Sequence, residues 1–161
     1  MNIARIIIAK IVIVIFLAIV VFCSDIPRAI AGDYMGEFCF TLQETENESG
    51  PVTTAPYTFR VGITSMGNNN YTFQGTVQVT DDNPAITGGT GVIIGDDIFV
   101  TMETSQQHLT NPWLDSSAAQ VHLTLSTLNG TYWTNGMTFN TQTRVTSTFY
   151  RGGTVTFTTC P

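Results

Sequence analysis

Tyr57-Thr58-Phe59-Arg60-Val61-Gly62-Ile63-Thr64 leads through Gly67-Asn68-Asn69-Asn70 into Tyr71-Thr72-Phe73-Gln74-Gly75-Thr76-Val77-Gln78-Val79. On both sides of the Gly-Asn turn, large apolar residues alternate with polar ones. That period of two belongs to a half-buried strand, where successive side chains point to opposite faces. Asn and Gly accept the left-handed backbone that a tight hairpin needs. The stretch therefore predicts two antiparallel strands, at 56–65 and 70–80, with Tyr57, Phe59, Val61 and Ile63 facing the same interior as Tyr71, Phe73, Gly75, Val77 and Val79.

The same pattern extends in both directions. A first strand at 34–43 carries Tyr34, Gly36, Phe38, Phe40 and Leu42 on one face. Further strands are predicted at 85–94 (Ile86, Val92 and Ile94 inward), 97–105 (Ile98, Val100, Met102) and 117–128 (Ala119, Val121, Leu123, Leu125). Two more follow at 130–140, containing Trp133 and Phe139, and at 143–160, containing Val145, Phe149, Val155 and Phe157. Asp81-Asp82-Asn83-Pro84, Gly95-Asp96-Asp97 and Asn129-Gly130 are short turn sequences, so neighbours in sequence pair as hairpins. No segment keeps a helical period for more than about a turn. Eight strands in an up-and-down meander leave two exposed edges unless the sheet closes on itself. Cys39 in the first strand and Cys160 at the end of the last share parity with polar neighbours. In a closed barrel those strands are adjacent and antiparallel, which brings the two thiols together on one face as a disulfide. The fold class is all-β, an eight-stranded antiparallel barrel.

The chain has 161 residues, a net charge of −6, and only 11% charged residues. Its mean hydropathy is +0.17 and its isoelectric point is near 4.5. Much of the hydropathy sits in one place. Met1–Ala31 has Arg5 and Lys10, an apolar run Ile11–Phe22, Pro27 and an Ala29-Ile30-Ala31 motif, the parts of a secretory signal peptide cut before Gly32. An uncleaved membrane anchor is the alternative, and a lipidated Cys23 a further one. The domains are thus 1–31, a leader, and 32–161, a single barrel that is secreted or periplasmic. Cleavage leaves three arginines, no lysine and eleven acids, a net charge of −8, with 27 threonines among 130 residues. Such a surface repels phosphate backbones and anionic lipid, so neither nucleic acid nor stable membrane insertion is expected. The sequence does not specify an oligomeric state.

The meander resembles the calycin group, the lipocalin and avidin type of eight-stranded barrel. Gly36-Glu37-Phe38 stands where lipocalins carry Gly-x-Trp in their first strand. The resemblance implies a small ligand held inside the barrel. Alternating turns place the 44–55 and 105–117 loops at one end and the tight turns at the other, so the loop end is expected to be the open mouth and the tight-turn end a closed base. Candidate ligand-binding residues there are Leu42, Tyr57, Val79, Ile86 and Met102, with Trp113 and Phe139 above or beside them. The same end collects Glu44, Glu46, Glu48, Asp81, Asp82 and Asp115, which without EF-hand spacing read as solvated turns rather than a calcium site. His108 and His122 lack ligand spacing, so no metal and no cofactor is expected. There is no G-x-S-x-G, no Cys-His pair for nucleophilic catalysis and no phosphate loop followed by a helix. The function expected is non-enzymatic binding of a small apolar or amphipathic ligand. The alternatives are a structural or cell-surface interaction protein with a packed barrel, and a small outer-membrane barrel.

Overall fold

The computed structural model describes residues 32–78, 83–109 and 111–160. The predicted leader, Val79, Asp81 and Asp82 lie outside the described residues. The strands are β1 (Asp33–Asn47), β2 (Gly50–Pro51), β3 (Tyr57–Gly67), β4 (Asn70–Gln78), β5 (Ala85–Ile94), β6 (Asp97–Gln107), β7 (Trp113–Thr124), β8 (Asn129–Asn140) and β9 (Thr146–Thr158). There is no helix among the described residues. Each long strand pairs antiparallel with the next, and β1 pairs back onto β9, which closes an eight-stranded barrel. The two-residue β2 only flanks the end of β1. Closure removes the free edges that an open meander would expose.

The predicted seam is present. Cys39 lies opposite Thr158 across β1 and β9, and its disulfide to Cys160 spans 5.1 Å between Cα atoms. The β3–β4 hairpin turns on Asn68 and Asn69, both left-handed at φ 51° and 60°, as its sequence required. β7 begins earlier and ends earlier than the predicted 117–128. Asp96 accepts hydrogen bonds from the backbone and hydroxyl of Ser126, and the Leu128 amide bonds back to Thr124, so 125–128 form a turn.

Inward faces follow the sequence pattern on β3, β4, β6 and most of β1, β7 and β9. Phe40, Phe59, Val61, Val100, Met102, Leu123 and Val155 are buried in one apolar layer across the middle of the lumen. Two strands depart from the expected facing, and a third, β8, takes one that its sequence left open. On β1, a bulge between Tyr34 and Gly36 turns Tyr34 outward, because one extra residue reverses strand parity. On β5 the inward set is Ala85, Thr87, Gly89, Gly91 and Ile93, so Ile86 and Ile94 are exposed on the outer wall. The reason is space: a Cβ on Gly91 would meet the Phe73 ring at 2.7 Å and Val100 Cγ2 at 3.1 Å. On β8, Tyr132 and Thr134 are buried, while Trp133 and Phe139 face outward.

Candidate functional site

The middle layer divides the lumen into two chambers with different chemistry. At the loop end lies a cavity of about 110 Å³, lined by apolar Leu42, Val77 and Phe149 but also by Tyr57, Gln106, Asp115, Tyr132 and Arg151. At the tight-turn end, beside the entry of the barrel domain, a cup of about 600 Å³ opens to solvent. Its wall includes Phe38, Ile63, Tyr71, Phe73, Ile93 and Leu128, with Phe40, Ile98 and Leu123 as its floor and Met35 and Leu125 at its rim. The apolar opening is therefore at the end expected to be a closed base. The physical cause is connection length. The turns 68–69, 95–96 and 125–128 have no residues to spare for crossing the lumen. At the other end the longer connections are tied down, by Gln43 Nε2 donating to Thr54 O at 2.7 Å and the Thr141 amide donating to Pro112 O at 2.7 Å.

The loop-end chamber is built around a carboxylate. Glu44 continues the inward parity of Phe38, Phe40 and Leu42 and is 3% exposed. It accepts the Tyr57 hydroxyl at 2.9 Å and Asn47 Nδ2 at 3.4 Å. Burial, then the bond to Glu44, pushes the Tyr57 phenol above its ordinary pKa of 10. Tyr132 lies opposite Gly153, the residue that also faces Glu44 across the β1–β9 seam. Its phenol is held still further up, by burial first and by the negative charge of Glu44 second. The Tyr132 hydroxyl is buried and has no hydrogen-bond partner among the described residues. Arg151, inward on β9, places its guanidinium 4.8 Å from the centre of the Phe149 ring. It forms no ion pair or side-chain hydrogen bond among the described residues. Asp115 meets His108 Nε2 at 3.0 Å through one oxygen, and its other oxygen, Oδ1, is buried without a hydrogen-bond partner among the described residues.

Of the candidate residues, Leu42 and Tyr57 line this chamber. Met102 is in the packed middle layer and Trp113, 42% exposed, stands at the rim with its ring edge-on to His108 at 6.1 Å. Ile86 and Phe139 do not face the lumen; they share an outer groove with Leu114 and Met137. Val79 is outside the described residues. Glu44, Tyr132 and Arg151 were not among the candidates. The predicted first strand ends at 43, the predicted 130–140 strand is marked by Trp133 rather than its smaller neighbour Tyr132, and Arg151 is a charged residue between the apolar Phe149 and Val155. Extending the alternation two residues on from Leu42 finds Glu44, and four residues back from Val155 finds Arg151. His122 is on the outer wall, 2.7 Å from Asp97 and stacked on Phe99. No three His, Cys, Asp or Glu side chains come together to hold a metal among the described residues.

No family model matches the chain, and no curated protein matches it. A solved structure, EF1p2_mFAP2b bound to DFHBI, is similar at a TM-score of 0.42 and 12% identity, over 75% of this chain and 90% of that one.

Proposed function

We propose that this protein binds a small apolar or amphipathic ligand, without chemistry upon it, in the cup at the tight-turn end. The observation that supports the reading is the 600 Å³ concavity walled by half-buried Phe38, Ile63, Phe73 and Ile93. Ligand sites typically enclose about 300–1,000 Å³ of mostly apolar wall. A ligand burying about eight methylenes there gains roughly 6 kcal/mol of transfer free energy before the losses of association. That gain alone corresponds to tens of micromolar, and the losses of association move the affinity toward millimolar. The protein is read as exported, with Met1–Ala31 as its leader; the Cys39–Cys160 disulfide is compatible with an oxidising compartment.

The test is a titration of the purified protein with N-phenyl-1-naphthylamine, whose fluorescence rises in an apolar site. Saturable binding of one dye per barrel is expected. Ile93→Asp in the wall and Leu125→Glu at the exposed rim should each weaken it by about tenfold or more, whereas Phe139→Ser on the outer wall should not. Binding that never saturates, or that all three variants leave unchanged, would overturn the reading. Native mass spectrometry of protein from its own host then identifies any ligand retained.

A further inference from the structure

We propose a second site, distinct from the cup: the loop-end chamber takes a small zwitterion bearing one carboxylate and one ammonium group, of the size of a small amino acid. Two kinds of observation carry it. The first is a pair of buried polar atoms in one cavity that make no hydrogen bond among the described residues, with an arginine beside them. Tyr132 is 5% exposed, and its hydroxyl makes no hydrogen bond among the described residues. Asp115 Oδ1 is buried in the same condition, and the Arg151 guanidinium, stacked over the Phe149 ring, makes no ion pair among the described residues. All three side chains line the same 110 Å³ cavity. A buried donor or acceptor left unmade is expensive, so natural proteins keep such groups where something satisfies them.

The second observation is the sign of those groups. Glu44 is already engaged by Tyr57 and Asn47. The charged groups and orphaned atoms that line the cavity itself are one cation, Arg151, one hydroxyl, Tyr132, and one carboxylate oxygen, Asp115 Oδ1. A plain carboxylate would meet Arg151 and Tyr132 but be repelled by Asp115. A plain ammonium ion would meet Asp115 but be repelled by Arg151. A zwitterion satisfies both, its carboxylate accepting from Arg151 and Tyr132 and its ammonium donating to Asp115 Oδ1. Size limits the class: about 150 Å³ of sealed apolar cavity holds the six carbons of benzene, so a 110 Å³ cavity that opens to solvent takes at most about six non-hydrogen atoms, as in alanine.

Calorimetric titration of the full-length protein at neutral pH with alanine, propionate and isopropylamine tests this directly. The two analogues each lack one charge of alanine. Alanine should bind, and each analogue about tenfold or more weaker, as expected from losing one charge-assisted contact. The variants should exchange specificity in a way that a structural role would not. Asp115→Asn should let propionate bind as well as alanine, and Arg151→Met should do the same for isopropylamine. Tyr132→Phe, which loses no hydrogen bond among the described residues, should keep its melting temperature while losing about tenfold in alanine affinity. Propionate or isopropylamine binding as tightly as alanine to the parent protein would overturn the proposal. So would the lack of any alanine binding up to about 10 mM, a limit of some 3 kcal/mol. Neither outcome touches the cup, which the naphthylamine titration reads separately.

Discussion

Tyr57 and Tyr132 are two phenols in one chamber with opposite roles in stability. Tyr57 donates to the buried carboxylate of Glu44 at 2.9 Å, and removing a donor from a buried charge costs about 1–3 kcal/mol. Tyr57→Phe should therefore lower the urea midpoint, while Tyr132→Phe, with no hydrogen-bond partner among the described residues to lose, should leave it unchanged or raise it; equal losses would contradict the hydrogen-bond assignment. Both phenols are held above 10 in the folded protein, Tyr132 the further. A raised folded pKa means that the folded state keeps its proton where the unfolded chain has given it up. Their contribution is thus complete below about pH 10 and is lost as pH climbs from there through the folded values. Urea midpoints measured at pH 9 and pH 11 should fall with pH, and the fall should shrink in the double variant Tyr57→Phe, Tyr132→Phe. At this scale the sequence was partly legible. Alternation placed Phe40, Phe59, Val61 and Val155 inside correctly, because an aromatic or branched residue in every second position has one good place to go. It passed over Glu44, because an acid after Leu42 reads as the start of a loop even though it keeps the inward parity of the strand.

Among the elements, β5 is decided by its neighbours. Its own largest residues, Ile86 and Ile94, suggest one facing, yet they are 70% and 62% exposed. Met102 opposite Gly89, Val77 opposite Ala85 and Ile98 opposite Ile93 impose the other. Strand register is a property of pairs, and β4 and β6 have the stronger inward faces. Adjacent glycines on β5 provide a test. A Cβ on Gly89 would lie 2.1 Å from Thr101 O, whereas one on outward Gly88 would be 3.5 Å from its nearest neighbour, Phe73 O. Gly89→Ala should destabilise by about 1–3 kcal/mol or more, and Gly88→Ala by no more than about 0.5 kcal/mol; similar midpoints for the two would refute the observed facing. The seam gives a second test. Cys39 and Cys160 are 121 residues apart, and a cross-link closing so long a loop contributes about 4–5 kcal/mol in the chain-entropy model. Cys39→Ser with Cys160→Ser should lose most of that in urea unfolding, and an unchanged midpoint would show that the seam holds without it.

For the molecule as a whole, the two chambers matter because a packed layer separates them. Ligands that bind only the folded state stabilise it by mass action, about 2.7 kcal/mol at one hundred times the dissociation constant. Naphthylamine in the cup and alanine in the loop-end chamber should stabilise additively, within about 0.5 kcal/mol, because the buried Phe40, Val61 and Met102 lie between the sites. Urea unfolding with each ligand and with both measures this; mutual exclusion would mean one continuous cavity. The all-β class, the meander order, the hairpin ends and the Cys39–Cys160 closure were determined by the sequence itself. They depend on period-two alternation, turn residues and cysteine position, which are local or nearly so. Tertiary structure alone decided which end of the barrel is apolar and open, and which polar side chains meet inside it. Those outcomes depend on bulges, on register against neighbouring strands and on how far each connection reaches. A one-residue shift in any of them moves a side chain from lumen to solvent, and no single strand encodes that choice.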